Sequence, residues 1–572
     1  MRSKLWDVCA IWSEMDSEKE FHTMEFVDFI RIPKVDDVVL HRHGYQPVSG
    51  TLCLTGHHMI LSSRQTNSEE LWLQHNNVDS LEKKFVGSTG QLTVKCKDFR
   101  IIRLDIHGMD ECIKVAETIE SLSSLEPVTL TYPFFYRSTF DELEDGWHAF
   151  LPENEFARLA SDDWRISYVN KNFQVCPSYP PAVIVPKSID DDTLVQSAAF
   201  RYGGRFPILS YMHTAQKTVI LRSSQPLTGT NTKRCKDDER LLNAALSVGK
   251  RGYIIDTRSM NGAMAARTKG GGFETEVNYP QWRRVNKPLD KPSILQESLC
   301  KLLEACMDTG CSADKWISRL TNCGWLHHVK ETLTTACLVA QCVDRENSAV
   351  LVHGSEGLDA SLQVTSLAQV ILDADCRTVR GFEALIEREW IQAGHPFLSR
   401  CSKSVFSQNK NKYAGPVYLL FLDCVWQIFQ QFPCSFEFSE KFLIMLFENA
   451  YASRFGTFLC NNENERKMAR VSEKTVSLWT YVNRPQILQT FFNPLYQPNQ
   501  QVIWPSVAPQ SLALWSSLYM RWTMSDTATS IPTQVITDIK QSDKELRLKV
   551  NELRRQLGDL QKEALEKGLI SD

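Results

Sequence analysis

The stretch of residues 349–362 constrains the fold more than any other part of the chain. Its first residues, up to His353, form a short apolar run rich in valine and leucine, which is typical of a buried strand. Two glycines, Gly354 and Gly357, follow in a short loop. Apolar residues then recur at helical spacing, at Val364, Leu367, Ala368 and Ile371. A strand, a tight loop and a helix N-terminus together predict a concave set of backbone N–H groups that suits a phosphate.

The loop lacks the two side chains that cysteine phosphatases use in such a setting. Those enzymes place a Cys at the first position, as an attacking thiolate, and an Arg six residues later to hold the phosphoryl oxygens. Here the two positions hold Gly354 and Ala360. Ser355 follows Gly354, but an alcohol needs a base and a cationic clamp. Loss of a nucleophile costs about 10⁶-fold in kcat in other enzymes, so an enzyme with an unrecognised nucleophile is the weaker hypothesis.

Other candidate motifs have simpler interpretations. Cys460 and Arg466 are six positions apart, like the Cys and Arg of a cysteine phosphatase. However, two glutamates and no glycine lie between them. The run Gly270–Gly272 lacks the Lys-Ser/Thr ending of a nucleotide-binding loop and predicts a turn. His353 is interpreted as a support for the loop through hydrogen bonding rather than as a base.

Composition narrows the class of protein. The 572 residues allow two to four domains, and the net charge of −4 gives no reason to expect nucleic-acid binding. Seventeen Cys, without CxxC pairs, indicate reduced thiols rather than disulfides or a zinc site, and no cofactor is expected. The apolar run 417–429 is too short to span a membrane and predicts a buried helix.

Periodicity predicts an α+β multidomain protein. Residues 1–23 are polar and are expected to form a flexible extension. Residues 24–123 contain short β patterns followed by one amphipathic helix, which is the plan of a small β-barrel of the pleckstrin-homology kind. The predicted strands are residues 50–55, 59–61, 71–73, 92–96 and 100–104, and the helix carries Cys112, Ile113, Ala116 and Ile119.

The rest of the chain divides into three parts. Residues 124–525 alternate between helical and strand patterns and predict one large α/β domain. Residues 526–534 read as a polar linker. Residues 535–567 carry a seven-residue apolar repeat that predicts a coiled coil. Its seam consists of Ile536, Ile539, Leu546, Val550, Leu553, Leu557 and Leu560.

The charges beside this seam favour a different chain as the partner. Two parallel identical copies would set Lys549 opposite Arg554 twice, and each like-charge pair costs a few tenths of a kcal/mol. With an acidic partner helix, the same lysine and arginine would form attractive pairs instead of repulsive ones. The coiled coil is therefore predicted to pair with another protein in preference to itself.

Several longer stretches give the chain a family resemblance. They are Trp164–Ser167, Ser178–Pro180, Arg222–Leu227, Lys269–Glu274, Gly381–Trp390, Phe421–Trp426 and Phe455–Leu459. In combination they resemble the myotubularin phosphoinositide phosphatases. Active members carry His-Cys-Ser-Asp-Gly-Trp-Asp-Arg at the loop. This chain has, in order, His353, Gly354, Ser355, Glu356, Gly357, Leu358, Asp359 and Ala360.

A second segment that lines the pocket in the family also departs from its pattern. The family motif has the form Asp-x-Arg-Pro-x-x-Asn-Ala-x-Ala-Asn. Asp256 and Arg258 match it, whereas Gly262 and Ala266 stand where the family has Asn. The resemblance therefore implies an inactive member with a degenerate phosphate loop and a degenerate pocket lining.

The resemblance also implies an architecture and a role. The expected parts are an N-terminal PH-GRAM-type β-barrel, a large cysteine-phosphatase-like domain and a C-terminal coiled coil. Inactive members pair through the coiled coil with active ones, here expected to be the myotubularin-related proteins numbered six, seven and eight. Those enzymes remove the 3-phosphate of phosphatidylinositol 3-phosphate and 3,5-bisphosphate. The implied location is cytoplasmic, with peripheral association with endomembranes.

The alternative function is a stand-alone phosphoinositide-binding module that shields or localises the lipid. Its site would be in the N-terminal domain, whose cations include Lys83, Lys84, Lys95, Lys97, Arg100 and Arg103. Acids such as Glu82 and Asp98 alternate with them, which is also typical of an ordinary solvated face. The same domain could instead contact a small GTPase.

Overall fold

The structure is a computed structural model that describes residues 26–63, 70–159, 161–308, 310–407 and 413–523. It also describes eight helical residues between Leu546 and Glu563. The predicted extension 1–23 and the predicted linker 526–534 lie outside the described residues.

The N-terminal region forms one antiparallel sheet followed by one helix. The strands are β1 (Lys34–Arg42), β2 (Val48–Leu54), β3 (His58–Ser62), β4 (Leu71–Gln74), β5 (Val78–Val86), β6 (Thr89–Cys96) and β7 (Ile101–His107), and the helix is α1 (Met109–Ser123). The five predicted strands and the helix are confirmed. Strands β1 and β5 are additional to the prediction.

Alternating burial explains how this sheet forms a core. In β6 every second residue is buried, and Leu92 and Val94 have no exposed surface. Helix α1 covers the core with Val115 and Ile119, which are also fully buried. The strand order is β4-β3-β2-β1-β7-β6-β5, so in the hydrogen bonding of the described residues the sheet has two ends rather than a closed ring.

The large domain is built around a five-stranded mixed sheet, as expected for an α/β fold. Its order is β10-β11-β14-β12-β13, and all neighbours are parallel except the edge pair β10 and β11. A separate two-stranded sheet joins β8 and β9. The strands are β8 (Trp164–Ser167), β9 (Val183–Pro186), β10 (Ile208–Met212), β11 (Val219–Ser223), β12 (Gly252–Asp256), β13 (Trp282–Asn286) and β14 (Val350–His353).

Helices surround this sheet. They are α2 (Pro152–Leu159), α3 (Asp191–Phe200), α4 (Lys236–Asn243), α5 (Met260–Thr268), α6 (Pro292–Met307), α7 (Ala313–Cys323), α8 (Trp325–Asp344), α9 (Ala360–Leu372), α10 (Val379–Ile386), α11 (Phe397–Arg400), α12 (Val417–Gln431), α13 (Glu440–Tyr451), α14 (Glu463–Met468), α15 (Val471–Lys474), α16 (Leu478–Val482), α17 (Pro485–Phe491) and α18 (Ser516–Tyr519). Helix α12 contains the apolar run predicted to be buried, and residues 417–428 are buried. Among the described residues, no helix is both long and apolar enough to cross a membrane.

The two folded regions contact each other through the turn between β6 and β7. Phe99, in this turn, is 1% exposed and belongs to the core of the large domain. The carbonyl oxygen of Asp98 accepts hydrogen bonds from Arg521 and Trp522, at 3.0 and 2.9 Å. The side chain of Asp79 accepts two more, from the backbone N–H groups of Ser404 and Phe406.

Candidate functional site

The degenerate phosphate loop lies at the carboxyl edge of the parallel sheet. Strand β14 ends at His353, directly between Ser223 at the end of β11 and Asp256 at the end of β12. Helix α9 begins at Ala360, and all of its residues from Ser361 to Leu372 are buried. The predicted strand, loop and helix N-terminus are therefore present, in the place where α/β sheets bind ligands.

Residues from other parts of the chain hold the loop in place by donating hydrogen bonds to its carbonyl groups. Those of Ser355, Gly357 and Leu358 accept hydrogen bonds from the N–H of Gln225 (3.3 Å), the Arg205 guanidinium (2.8 Å) and the His395 ring (2.9 Å), respectively. These three bonds fix the backbone of the loop from three separate segments of the chain.

One glycine of the loop is required by the backbone. Gly357 has φ of +72°, and a Cβ there would lie 2.4 Å from the carbonyl oxygen of Ser223. Both facts exclude other residues at this position. A glycine is therefore needed at 357 whether or not the loop binds a ligand.

A buried charge network lies behind the loop. His353 has no exposed surface, and its Nε2 donates to Oε2 of Glu274 at 2.9 Å. The other carboxylate oxygen of Glu274 binds Arg201 Nη1 at 2.6 Å. Burial opposes the charge of Glu274, but His353 and Arg201 outweigh it and lower the pKa of Glu274 well below its usual value. These contacts make His353 a support of the loop in this structure.

The network continues to a second carboxylate. Arg201 binds Asp238 bidentately, at 2.8 and 2.6 Å, and both side chains have no exposed surface. The hydroxyl groups of Ser197 and Tyr279 also donate to Asp238, at 2.6 and 2.7 Å. Each buried charge therefore has partners that offset its desolvation.

Asp359 anchors the end of the loop. Its carboxylate accepts two hydrogen bonds from Arg400, at 3.0 and 2.7 Å, and lies 3.4 Å from His395 Nδ1. Burial alone would raise its pKa, but His395 and Arg400 lower the pKa of Asp359 to about 2. Asp359 is therefore an ion-paired support rather than an acid available to a substrate.

The concave side of the loop, taken as Gly354, Ser355, Glu356 and Ala360, carries few groups that could act on a phosphate. Residues 353–360 contain no Arg or Lys, and Gly354 and Ala360 offer neither a nucleophile nor a donor side chain. Ser355 and Glu356 are exposed, while Leu358 is half-buried. The exposed carboxylate of Glu356 adds a negative charge that would repel a phosphate.

The predicted pocket lining divides into two pairs. Asp256 is fully buried and binds Arg258 through both oxygens, at 2.8 and 2.9 Å. Arg258 also donates to the side chain of Gln225 at 2.6 Å, which connects it to the loop. Gly262 is exposed and Ala266 half-buried, both on α5. The first pair thus supports the loop through Gln225, whereas the second pair is at least partly exposed on α5.

The alternative motifs form structural contacts. Gly272 donates its N–H to Gln225 and its carbonyl accepts from Arg258, at 3.2 and 2.9 Å. Arg466 donates to the carbonyl oxygens of Thr457 and Leu459, at 2.6 and 3.1 Å, and pairs with Glu463. The guanidinium that follows Cys460 therefore holds local backbone instead of facing an anion site.

Most cations of the N-terminal region have acidic partners. The ion pairs are Lys83 with Glu120, Lys95 with Glu82, Arg100 with Asp98 and Arg103 with Asp105. Lys97 is 4% exposed. Burial lowers the pKa of Lys97 to about 8. This face is therefore close to the ordinary solvated surface that the alternation of charges indicates.

The described part of the C-terminal segment is helical and apolar side chains are exposed on it. Leu546, Val550, Leu553, Leu557 and Leu560 are each between 46% and 63% exposed. The other two predicted seam residues, Ile536 and Ile539, lie outside the described residues. A row of exposed leucines at heptad spacing is an unusual solvent-facing surface for a single chain.

Comparison with known proteins identifies the class. The family model of the myotubularin-like phosphatase domain matches residues 131–467, and that of the GRAM domain of MTMR6-9 matches residues 34–123. The chain belongs to the myotubularin family, with a PH-GRAM domain followed by the phosphatase-like domain.

Particular relatives define its position within the family. The chain is 61% identical to Myotubularin-related protein 9 of Bos taurus over 542 residues, which cover 94% of this chain and 99% of the relative. It is 35% identical to human phosphatidylinositol-3,5-bisphosphate 3-phosphatase MTMR8, over 93% of this chain and 76% of the relative. Identity to the human phosphatase MTMR6 is 33%, over 92% of this chain and 86% of the relative.

The supporting residues of the loop were not singled out from sequence. Glu274 lies within one of the stretches that carry the family resemblance, but nothing local relates it to His353, 79 positions away. Arg201 and Arg205, Asp238, and His395 and Arg400 come from three other parts of the chain. The sequence around a buried charged residue does not indicate which distant residue it pairs with.

Proposed function

We propose that this chain is a catalytically inactive regulatory subunit that binds active myotubularin-related phosphatases through its C-terminal coiled coil. The expected partners are the family members numbered six, seven and eight. The names of the similar proteins MTMR6 and MTMR8 describe them as phosphatidylinositol-3,5-bisphosphate 3-phosphatases. The subunit would raise their stability, activity or membrane targeting towards phosphatidylinositol 3-phosphate and 3,5-bisphosphate.

The loop carries the inactive part of the proposal. Its backbone and supports are in place, yet position 354 has no side chain and position 360 has only a methyl group. Attack on phosphorus requires a nucleophile, and the transition state requires a cation or equivalent donors. A direct test is phosphate release by the purified chain alone from phosphatidylinositol 3-phosphate. Turnover at the rate of an active relative would contradict the proposal.

The exposed seam supports the binding part. Five apolar side chains are about half exposed or more. Covering such a seam with a partner helix buries them, at about 25 cal/mol per Å² of apolar surface. A partner that binds only the folded subunit also stabilises it by mass action. Self-pairing is disfavoured by the like charges of Lys549 and Arg554 in the predicted register.

Substitution in the seam tests this contact. The double variant Leu553→Asp with Leu557→Asp should abolish co-purification with an active subunit, because two carboxylates would lie in the apolar interface. The large domain should unfold at an unchanged temperature. Native mass spectrometry of the mixed chains gives both the partner and the stoichiometry.

The matched control adds the same charge outside the seam. Asn551→Asp with Arg555→Gln also makes the segment more negative by two units, at the b and f positions of the predicted heptad. This control should retain the partner. Equal binding by the seam variant and the control would place the contact elsewhere.

A further inference from the structure

A cavity lies at the β10 edge of the large sheet, between β9, β10 and α2. Its volume is about 210 Å³, and none of residues 353–360 lines it. Much of its wall is aliphatic, with Ala182, Ile184, Ile208 and Leu209 among the lining residues. An apolar cavity of about 150 Å³ in another protein holds benzene. By the same measure, this cavity has room for a ligand of about eight non-hydrogen atoms.

Most charged groups of the lining have partners. Apart from Arg222, the lining contains three cations and three carboxylates, so their charges balance. Their contacts are Arg158 with Asp375, Arg388 with Glu155, Lys217 with the carbonyl oxygen of Leu159, and Asp373 with the N–H of Asp375.

Arg222 is the remaining cation of the lining and the most deeply buried one. It is 3% exposed, so its guanidinium is almost completely removed from water. Its Nε donates to Glu389 at the long distance of 3.4 Å, and Nη1 has no hydrogen-bond partner among the described residues. Glu389 accepts shorter bonds from the hydroxyl groups of Ser210 and Thr365, at 2.7 and 2.8 Å. A guanidinium has five N–H donors, and leaving them unpaired in a buried place is unfavourable.

A second cation lies beside Arg222. The guanidinium groups of Arg222 and Arg205 lie 5.5 and 4.4 Å from the centre of the same Tyr179 ring. Glu389 supplies one carboxylate against these two charges. The field at this wall of the cavity therefore favours an anion.

We propose that this cavity binds a small aliphatic carboxylate. Its oxygen atoms would accept hydrogen bonds from Arg222, since a carboxylate matches the fork of a guanidinium. Its hydrocarbon chain would lie against the aliphatic wall and gain from removal from water. This site goes beyond the proposed regulatory role, because it requires neither the degenerate loop nor the coiled coil.

Calorimetric titration of the full-length chain with hexanoate tests the proposal. Hexanoate should bind about tenfold or more tightly than 1-hexanol, which has the same chain but no charge. Equal affinities, or no binding of hexanoate, would overturn the proposal. Dodecanoate, used below its micelle concentration, separates two sources of the ligand. Tighter binding than hexanoate would identify a fatty acid whose chain passes α2, and weaker binding would identify a short organic acid.

Two substitutions in the wall locate the site. Arg222→Gln should weaken hexanoate binding about tenfold or more and leave 1-hexanol unchanged. Ala182→Leu fills the cavity without changing its charge and should abolish binding of both compounds. The matched control is Ala198→Leu on α3, a buried alanine outside the lining, which should retain hexanoate. Retained binding in Ala182→Leu, or equal loss in the control, would overturn the proposal.

Hydrogen exchange gives a readout that does not depend on the variants. Hexanoate should slow exchange in α2, β9 and β10, because these elements enclose the cavity. If Arg222→Gln does not fold, this protection and the comparison with 1-hexanol still decide the question. Protection confined to residues 353–360 would place the anion at the degenerate loop and would contradict the proposed site.

Discussion

The two sides of the degenerate loop differ in how much of a phosphate site they retain. On the concave side, Gly354 and Ala360 stand where a nucleophile and a phosphate ligand are needed, and Glu356 adds an exposed negative charge. On the supporting side, His353 and Asp359 keep a full set of buried or half-buried ionic partners. Positions 354 and 360 therefore carry neither a nucleophile nor a cation, whereas the residues that hold the shape of the loop are paired.

This difference follows from what each side contributes to folding. An exposed side chain that would face a ligand can be removed with little effect on the free energy of unfolding, because it makes few contacts inside the protein. A buried ion pair is different, because removal of one partner leaves the other charged and desolvated. The supporting side is thus tied to stability, whereas the exposed Ser355 and Glu356 are not.

The largest expected effect comes from the supporting network. Arg201→Met should lower the free energy of unfolding by about 3–5 kcal/mol, because Asp238 and Glu274 would remain buried without their shared cation. Urea denaturation followed by tryptophan fluorescence measures this loss. The matched control is Arg158→Met, which breaks a pair with Asp375 in which both side chains are more than 40% exposed. Its expected cost is about 0–1 kcal/mol. Equal costs for the two variants would show that the buried network stabilises the fold no more than an exposed ion pair does.

An effect of intermediate size is expected from Asp359, whose contribution to the free energy of unfolding depends on pH. The pKa of Asp359 is lowered from an ordinary value of 3.8 to about 2, despite burial, by His395 and Arg400. A depressed carboxyl pKa contributes stability that is present above about pH 4 and is lost as the pH falls towards 2. The difference corresponds to about 2 kcal/mol.

Asp359→Asn tests this contribution. The variant should be less stable than the original chain at pH 6, and the two denaturation midpoints should converge as the pH falls from about 4 towards 2. Glu356→Gln, three positions earlier, is the control for the loss of one negative charge and should cost less stability at pH 6 than Asp359→Asn, because Glu356 is exposed. A constant gap between Asp359→Asn and the original chain would show that the ionised carboxylate is not the cause.

The smallest effect is expected on the concave side. Ser355→Ala and Glu356→Ala should each change the free energy of unfolding by less than about 0.5 kcal/mol, since both residues are exposed. Co-purification with an active subunit should also be unchanged. Loss of the partner in either variant would show that the loop itself forms part of the binding surface.

Local patterns predicted much of the fold. Strands such as β6 alternate buried and exposed residues, and α1 has an apolar face at helical spacing, so period alone identifies both. Strand β5 was missed because its second half is exposed and carries Glu82, Lys83 and Lys84, which hide the alternation. Strand β1 begins with an irregular pairing between Val35 and Val38, which has the same effect.

The phosphate-loop segment can also be predicted from local sequence. The strand, the glycines and the helix that follow one another in residues 349–372 are continuous in the chain, so their order is visible in the sequence. The absence of Cys and Arg at positions 354 and 360 is equally a matter of sequence, and it determined that this member of the myotubularin family lacks the usual phosphatase side chains.

The residues that support the loop, and those that lie beside it, come together only through the tertiary fold. Glu274 reaches His353 across 79 positions, Arg205 reaches Gly357 across 152, and Thr257 comes to lie against Gly354. These contacts depend on the order of β11, β14 and β12 in the sheet, which packing of the whole domain sets. Periodicity records which face of an element is buried; it carries no information about which distant side chain will meet it there.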